Sequence, residues 1–267
     1  MSPAEPIPGV ARQFASAARL FSATEFASIR AAHVGIIGLG GVGSWAAEAI
    51  VRSGVGAVTL VDMDHVAESN LNRQIQALHS TLGMQKCAAL KARLSDISPD
   101  CRVFTVDDFL TAENAAEILG VNPLGQSNSG VERSDGPGVW IDATDDLRAK
   151  RAMIITMADV KRSQDLIVSG AAGGKTDPGR TEVADLSDAT QDPLLSALRY
   201  DLRKHAGFPR QGRMKVPVVF NRQPMIRSED CDPSAKLACA GYGSLVTVTA
   251  TMGIVAAQMA IVRICKR

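Results

Sequence analysis

Residues 35–74 read GIIGLGGVGSWAAEAIVRSGVGAVTLVDMDHVAESNLNRQ. An apolar run over 34–37 meets a glycine cluster, Gly38-Leu39-Gly40-Gly41-Val42-Gly43. The pattern over 44–53 predicts a helix, and a second apolar run over 58–61 ends in Asp62. The order is strand, tight turn, helix, strand, with an acid at the tip of the second strand. Glycines in such a turn let the backbone approach a pyrophosphate, which then sits on exposed N–H groups at a helix N-terminus. Taken alone, G-x-G-x-x-G suggests NAD or FAD, and Asp62 would hold a nicotinamide ribose equally well.

Outward from this block, strand and helix signals alternate. Helices are predicted over 14–32 (one or two), Lys86–Ile97, 112–119 and 148–161, and strands over Arg102–Val106, 139–141 and Leu166–Ser169. Such alternation implies an α/β fold: a Rossmann-like, mostly parallel sheet with helices on both faces. Residues 1–10 hold three prolines and read as a loose arm, and 122–138, NPLGQSNSGVERSDGPG, read as a flexible loop. From Asp185 the pattern changes to a basic helix over 194–205, a strand over 215–220 and a long apolar segment over 241–264. The expected organisation is a nucleotide-binding domain over 1–180 and a smaller, irregular C-terminal part over 181–267, carrying substrate contacts or a dimer interface.

The 267 residues are 46% hydrophobic and 21% charged, ordinary values for a globular core. Aromatic residues are 4%, which disfavours a base-stacking single-strand binding module. The net charge of +1 excludes a global polyanion trap but not a local patch. Five cysteines, Cys87, Cys101, Cys231, Cys239 and Cys265, form no C-x-x-C pair, and MSPAEPIPGV is no secretory leader. A reducing cytoplasm is the expected location, and a structural zinc site is not expected.

The residues beyond Asp62 shift the balance from a dinucleotide to ATP. Asp64 comes next, then Ser69-Asn70-Leu71-Asn72-Arg73-Gln74, then Lys86, then Asp142-Ala143-Thr144-Asp145-Asp146. A reaction at an ATP α-phosphate needs a carboxylate for the ribose hydroxyls, which Asp62 supplies at a strand end. It needs cations on the triphosphate, here Arg73 and Lys86, with neutral hydrogen bonds from Asn70. It needs a carboxylate for the metal, and Asp145 after a parallel strand projects into the same crevice. Asp146 reads as a helix cap and Asp64 as a loop acid. No catalytic base is required when the nucleophile is a carboxylate already charged.

GLGGVGSWAAEAI, LVDMD, SNLNRQ, Lys86 and DATDD, in that order, resemble the nucleotide site of the E1-like (ThiF/MoeB-type) activating enzymes. The resemblance implies that Gly38, Gly40, Gly41, Gly43, Asp62, Asn70, Arg73 and Lys86 bind ATP and that Asp145 binds Mg2+. It also implies an arginine donated from the N-terminal helix of a neighbouring subunit, for which Arg19 in AARLF is the best match, and hence a homodimer. The two C-x-x-C pairs of the bacterial enzymes that adenylate sulfur carriers are missing. Instead, residues 170–194 (GAAGGKTDPGRTEVADLSDATQDPL) and 239–257 (CAGYGSLVTVTATMGIVAA) resemble the tRNA threonylcarbamoyladenosine dehydratase branch. That branch implies ATP-dependent activation of the threonylcarbamoyl carboxylate on adenosine 37 of tRNA, followed by ring closure. It further implies a cysteine desulfurase and sulfur-acceptor system as partner, and a monovalent cation near Gly170–Gly174. The competing readings are adenylation of the C-terminus of a ubiquitin-like or sulfur-carrier protein and a non-catalytic nucleotide-binding protein.

Three features remain beside the nucleotide motifs. Cys239 is a candidate catalytic thiolate by resemblance, but a small buried hydrophobe is the commoner fate of a free cysteine. Arg199, Arg203, Lys204, Arg210, Arg213 and Lys215 set six cations against one acid, Asp201, within seventeen residues. Such a run is a solvated face in most proteins, and a phosphate-contacting surface if the substrate is tRNA. Residues 241–262 contain no charge and are long enough to cross a bilayer. Their Gly, Ser, Thr and Ala content favours a buried helix at a subunit interface over peripheral membrane association.

Overall fold

A computed structural model describes residues 10–121, 136–226 and 242–267. Residues 1–9 of the expected arm, 122–135 of the expected loop, Cys231 and Cys239 lie outside the described residues. In chain order the elements are α1 (Ala15–Ala18), α2 (Ala23–Ala31), β1 (His33–Ile37), α3 (Gly43–Arg52), β2 (Ala57–Val61), α4 (Lys86–Ile97), β3 (Arg102–Val106) and α5 (Ala115–Ile118). Next are β4 (Val139–Asp142), α6 (Leu147–Asp159), β5 (Leu166–Ser169), β6 (Thr181–Asp185), α7 (Pro193–His205), β7 (Pro217–Asn221) and α8 (Val246–Cys265).

The seven strands form one sheet in the order β3-β2-β1-β4-β5-β7-β6, parallel except for the antiparallel β6–β7 pair. The chain runs outward one way from β1 and, after β4, outward the other way, so the order reverses between β1 and β4. In a parallel sheet the crevice beyond the strand ends at that reversal is where ligands bind. The glycine cluster, Asp62 and the DATDD segment all come after strands on that edge. The change of sequence pattern near residue 180 is not a break in the sheet, because β6 and β7 continue it.

Successive strand residues feed opposite faces, as the two-residue period of a strand requires. Val34, Ile36, Val58, Leu60, Ile141 and Ile167 meet α2, α3, α4 and α8 on one face. Ile37, Val61, Trp140 and Val168 meet α6 and α7 on the other. Both faces are covered, which is why these strands read as continuous apolar runs rather than alternating ones.

The apolar segment near the end of the chain finds packing partners within its own chain. Helix α8 packs on α3 within the same chain, burying Val248, Met252, Ala256, Ala257 and Ala260. The approach is close enough that a Cβ on Gly253 would lie 2.3 Å from the Val42 carbonyl oxygen. By length and composition α8 could cross a membrane, but half of that window is buried inside the fold. Ile254 and Val262 remain exposed on its outer side.

The far end of α8 is anchored by charge. Asp165, buried just before β5, accepts from Arg162 Nε at 2.9 Å and Arg263 Nε at 2.8 Å, and also pairs with Arg267. Burial alone would raise its pKa, but the hydrogen bonds from Arg162 and Arg263 and the charge of Arg267 outweigh this, and the carboxyl is held below its ordinary value. A depressed carboxyl contributes stability that is full above the unfolded pKa, about 4, and is lost as pH falls through the lower folded value. Asp165→Asn is therefore expected to cost about 1–3 kcal/mol at neutral pH. The loss should shrink as pH falls below about 4, as read by urea denaturation across pH; an equal loss at every pH would rule out the charge as its source.

Candidate active site

The turn between β1 and α3 is made by steric necessity. Gly38 has φ +84°, and a Cβ there would lie 2.9 Å from the Ala143 backbone; a Cβ on Gly43 would lie 1.9 Å from the Gly38 carbonyl oxygen. Only glycine permits both the left-handed turn and this contact. The turn therefore sits against the strand-β4 loop, and the start of α3 opens toward a cavity of about 1320 Å³. The first backbone N–H groups of a helix have no partner inside the helix, so this end is suited to an anion.

Asp62 ties the turn to β2. Its Oδ2 accepts the Leu39 N–H at 2.7 Å and its Oδ1 accepts the Asp64 N–H at 2.9 Å. Burial raises its pKa; Lys86 and the two N–H donors pull it back without cancelling the rise. Each carboxylate oxygen keeps a further lone pair for a hydroxyl donor. Lys86, the first residue of α4, is buried, with Nζ 2.7 Å from Asp64 Oδ2 and 3.9 Å from Asp62 Oδ2. Asp64 is thus the acid that orients Lys86.

The SNLNRQ segment brings two more groups to the same wall. Asn70 is buried and lines the cavity, and its Oδ1 accepts the Ala67 N–H at 3.1 Å. Arg73 donates from Nη1 to the Ser69 carbonyl at 2.7 Å and to Asn72 Oδ1 at 2.9 Å, which presets its guanidinium. Thr249 of α8 touches the turn, 3.1 Å from where a Gly41 Cβ would be.

Gly38, Gly40, Gly41, Asp62, Asn70, Arg73, Lys86 and Asp145 all line this one cavity. Gly43 stands behind it in the packing of the turn. Asp145 is exposed, whereas Asp146 caps α6, accepting from the N–H groups of Arg148 and Ala149. Arg19 lies at the end of α1, exposed, and does not line its own chain's cavity. Cys239 lies outside the described residues, while Cys87 and Cys101 are buried, their thiols pushed up by burial to about 12 and about 11. Such thiols stay protonated and are structural.

Several groups at the site were not legible in the sequence. Asp142 and Lys150 form a fully buried ion pair of 3.0 Å directly beneath the β4 loop. Burial raises the Asp142 pKa against the pull of Lys150 and of the Thr144 hydroxyl and N–H. The predicted helix over 112–119 forms only over Ala115–Ile118, and residues 108–113 instead make a cavity wall with Phe109, 55% exposed, at its mouth. Arg148 and Arg151 of α6 complete that side. Opposite, the cavity-lining stretch 170–173 is pinned from behind. Asp192, the N-cap of α7, accepts the Ala171 N–H at 2.8 Å, and buried Lys175 donates to the Asn221 carbonyl. In the stretch where a monovalent cation is expected, the Gly170 carbonyl accepts from Ser169 Oγ and the Gly174 carbonyl from the Ile226 N–H. Apart from the Thr144 and Ser169 contacts, these hydrogen-bond and ion-pair partners lie eight to fifty-two residues apart in the chain.

The family model described as ThiF family matches residues 10–267. A Haemophilus influenzae protein named tRNA threonylcarbamoyladenosine dehydratase is 38% identical over 263 residues, covering 96% of this chain and 94% of its own. The Escherichia coli protein of the same name is 37% identical over 264 residues, covering 94% and 92%. A crystal structure of the E. coli tRNA N6-threonylcarbamoyladenosine dehydratase in complex with ATP superposes with a TM-score of 0.81 at 36% identity, covering 95% of this chain and 93% of that one.

The buried Asp142–Lys150 pair beneath the site makes a direct expectation. Lys150→Met strands a carboxylate in the core and should cost about 3–5 kcal/mol. Adding Asp142→Asn should restore more than half of that loss, because the pair is then replaced rather than broken. Urea denaturation of the two variants measures both. Equal loss in the single and double variants would mean that packing, not charge, holds this loop.

Proposed function

The chain belongs to the ThiF family, and from that premise we infer that it is an ATP-dependent tRNA-modifying enzyme. Its reaction is the dehydration of N6-threonylcarbamoyladenosine at position 37 of tRNA. The observation that carries this reading is a single cavity holding the glycine turn, Asp62, Arg73, Lys86 and Asp145 together. The chain that builds it matches proteins named as dehydratases over nearly its whole length. Adenylation of a carrier protein's C-terminus is not favoured, since these full-length relatives carry the dehydratase name.

In this reading the ATP phosphates lie over residues 40–43 at the α3 N-terminus, with Arg73 and Lys86 neutralising them and Asn70 donating from its amide. Asp62 accepts from the ribose hydroxyls with the lone pairs left over from its two backbone contacts. The threonylcarbamoyl carboxylate attacks the α-phosphorus and pyrophosphate leaves. A carbamoyl nitrogen of the same group then attacks the acyl carbon. AMP departs with the former carboxylate oxygen, the nitrogen loses its proton, and the ring closes. The second step is intramolecular, so its effective concentration is high without a dedicated base. The protein's part is positioning and charge neutralisation in a partly closed site.

The reading gives Asp145 to a magnesium ion. Among the described residues no group of three or more His, Cys, Asp or Glu side chains converges on a metal position. A magnesium ion held by one carboxylate would complete its shell from phosphate and water. Bound there, it would supply positive charge to the phosphates. The reading also pairs two copies of the chain, with the partner subunit's Arg19 reaching the phosphates. An exposed Arg19 beside Leu20, 81% exposed, is what an interface residue acting across two copies requires.

Mass spectrometry of adenosine 37 after incubation of threonylcarbamoyl-modified tRNA with protein and ATP should show the loss of one water. No mass change would overturn the reading. Asp145→Ala should lower that conversion at least roughly 100-fold with an unchanged thermal midpoint, since Asp145 is exposed. Full activity in the variant would remove Asp145 from the site.

A further inference from the structure

The basic run after residue 199 is not one uniform patch. Arg199 turns inward, donating from Nη1 to the Leu186 carbonyl at 3.1 Å and the Ala189 carbonyl at 2.8 Å. Asp201, the one acid in the run, is withdrawn into an ion pair with Arg151 of α6, Nε to Oδ2 2.6 Å. The run borders a surface groove of about 410 Å³ lined by Ser196, Arg199, Tyr200, Arg203, Lys204 and Arg210, with no acid among them. Tyr200 is 63% exposed, unusual for a large aromatic with no partner ring among the described residues. Lys204 steadies it, donating to the phenol oxygen at 3.0 Å with Nζ 5.3 Å from the ring centroid. Arg203 is steadied through Nε on the Pro209 carbonyl at 3.1 Å, which fixes the guanidinium at the groove.

The groove is coupled to the active site by the fold. Leu194, in the first turn of α7, lines the ATP cavity, and Lys204 lies ten residues further along the same helix. That separation is about 15 Å at the rise of an α-helix. The Arg151–Asp201 pair joins the groove's helix to a residue of the cavity wall. Cations in a last helical turn also complement the helix dipole. That effect calls for neither an exposed tyrosine beside them nor Arg210 from the next loop.

We propose that this groove holds a nucleotide of the tRNA away from the reacting adenosine, its base on the Tyr200 ring and its flanking phosphates on Arg203, Lys204 and Arg210. An aromatic face serves any base, and the cations serve the backbone, so the groove contributes affinity and register with little sequence preference. The proposal rests on the dehydratase reading, because that reading supplies an RNA that must reach the cavity.

The test is tRNA binding by the full chain as a function of KCl, alongside ATP binding and conversion of adenosine 37. Tyr200→Ala should weaken tRNA binding roughly 5- to 150-fold, while Tyr200→Phe, which keeps the ring, should bind nearly as wild type. The pair Lys204→Gln and Arg210→Gln should lower the slope of log affinity against log salt by about two. ATP affinity should be unchanged in all three. Wild-type tRNA affinity and salt slope in these variants, with wild-type protein converting adenosine 37 normally, would overturn the groove and leave the dehydratase reading standing. Failure of the wild-type protein to bind or convert tRNA would overturn both. Binding of a poly-glutamate peptide that is lost in the variants while tRNA binding is retained would assign the groove to an acidic protein partner and overturn the proposal.

Discussion

Two hydrogen bonds to one carboxylate hold the candidate site in register. Asp62 leaves the end of β2 and accepts the Leu39 N–H from the turn after β1, fixing one loop against the other. Its second oxygen takes the Asp64 N–H, which sets Asp64 to meet the Lys86 ammonium at the start of α4. Three chain segments thus converge on one side chain whose burial would otherwise oppose its charge. A buried carboxylate tolerates that cost only when donors and a cation surround it. The arrangement makes the polar part of the site self-supporting before any ligand arrives.

The C-terminal third of the chain is structurally part of this assembly. Strands β6 and β7 extend the sheet, and α8 lies against α3 so closely that a side chain at Gly253 would strike the Val42 carbonyl. Ser244 and Thr249 line the cavity from that side. The glycine turn is therefore held by Asp62 from β2 and by α8 from the end of the sequence. A cavity of about 1320 Å³ exceeds the roughly 300–1,000 Å³ typical of a single small ligand. Residues 108–113, Arg148, Arg151 and 170–173 belong to the wall of the same cavity.

Legibility tracked the range of the interaction. The strands Arg102–Val106 and Leu166–Ser169 and the helix Lys86–Ile97 form over the predicted residues, because apolar period and helix punctuation are local signals. The Asp146 cap was readable for the same reason. The helix expected over 112–119 shrinks to Ala115–Ile118 because residues 108–113 are used as a wall, with Asn114 tying back to Asp108 and Phe109. The six-cation run reads as a single patch only when partners are invisible. Arg199 and Asp201 leave it by bonding to groups well away in the chain, Asp201 to one fifty residues distant.

By itself the sequence determined the α/β class and the position of the glycine turn, and it singled out Asp62, Asn70, Arg73, Lys86 and Asp145 as candidates. Asp62 follows a strand end, Lys86 begins a helix and Asn70 and Arg73 share one short turn segment, all placed by neighbours a few residues away. Only the tertiary structure decided that these five share one cavity and that Asp142 is withdrawn from it to pair with Lys150. It alone also placed the last helix of the chain behind the first glycine turn. Those outcomes depend on which strands become neighbours and which charges are desolvated together, and no local period in a sequence encodes either.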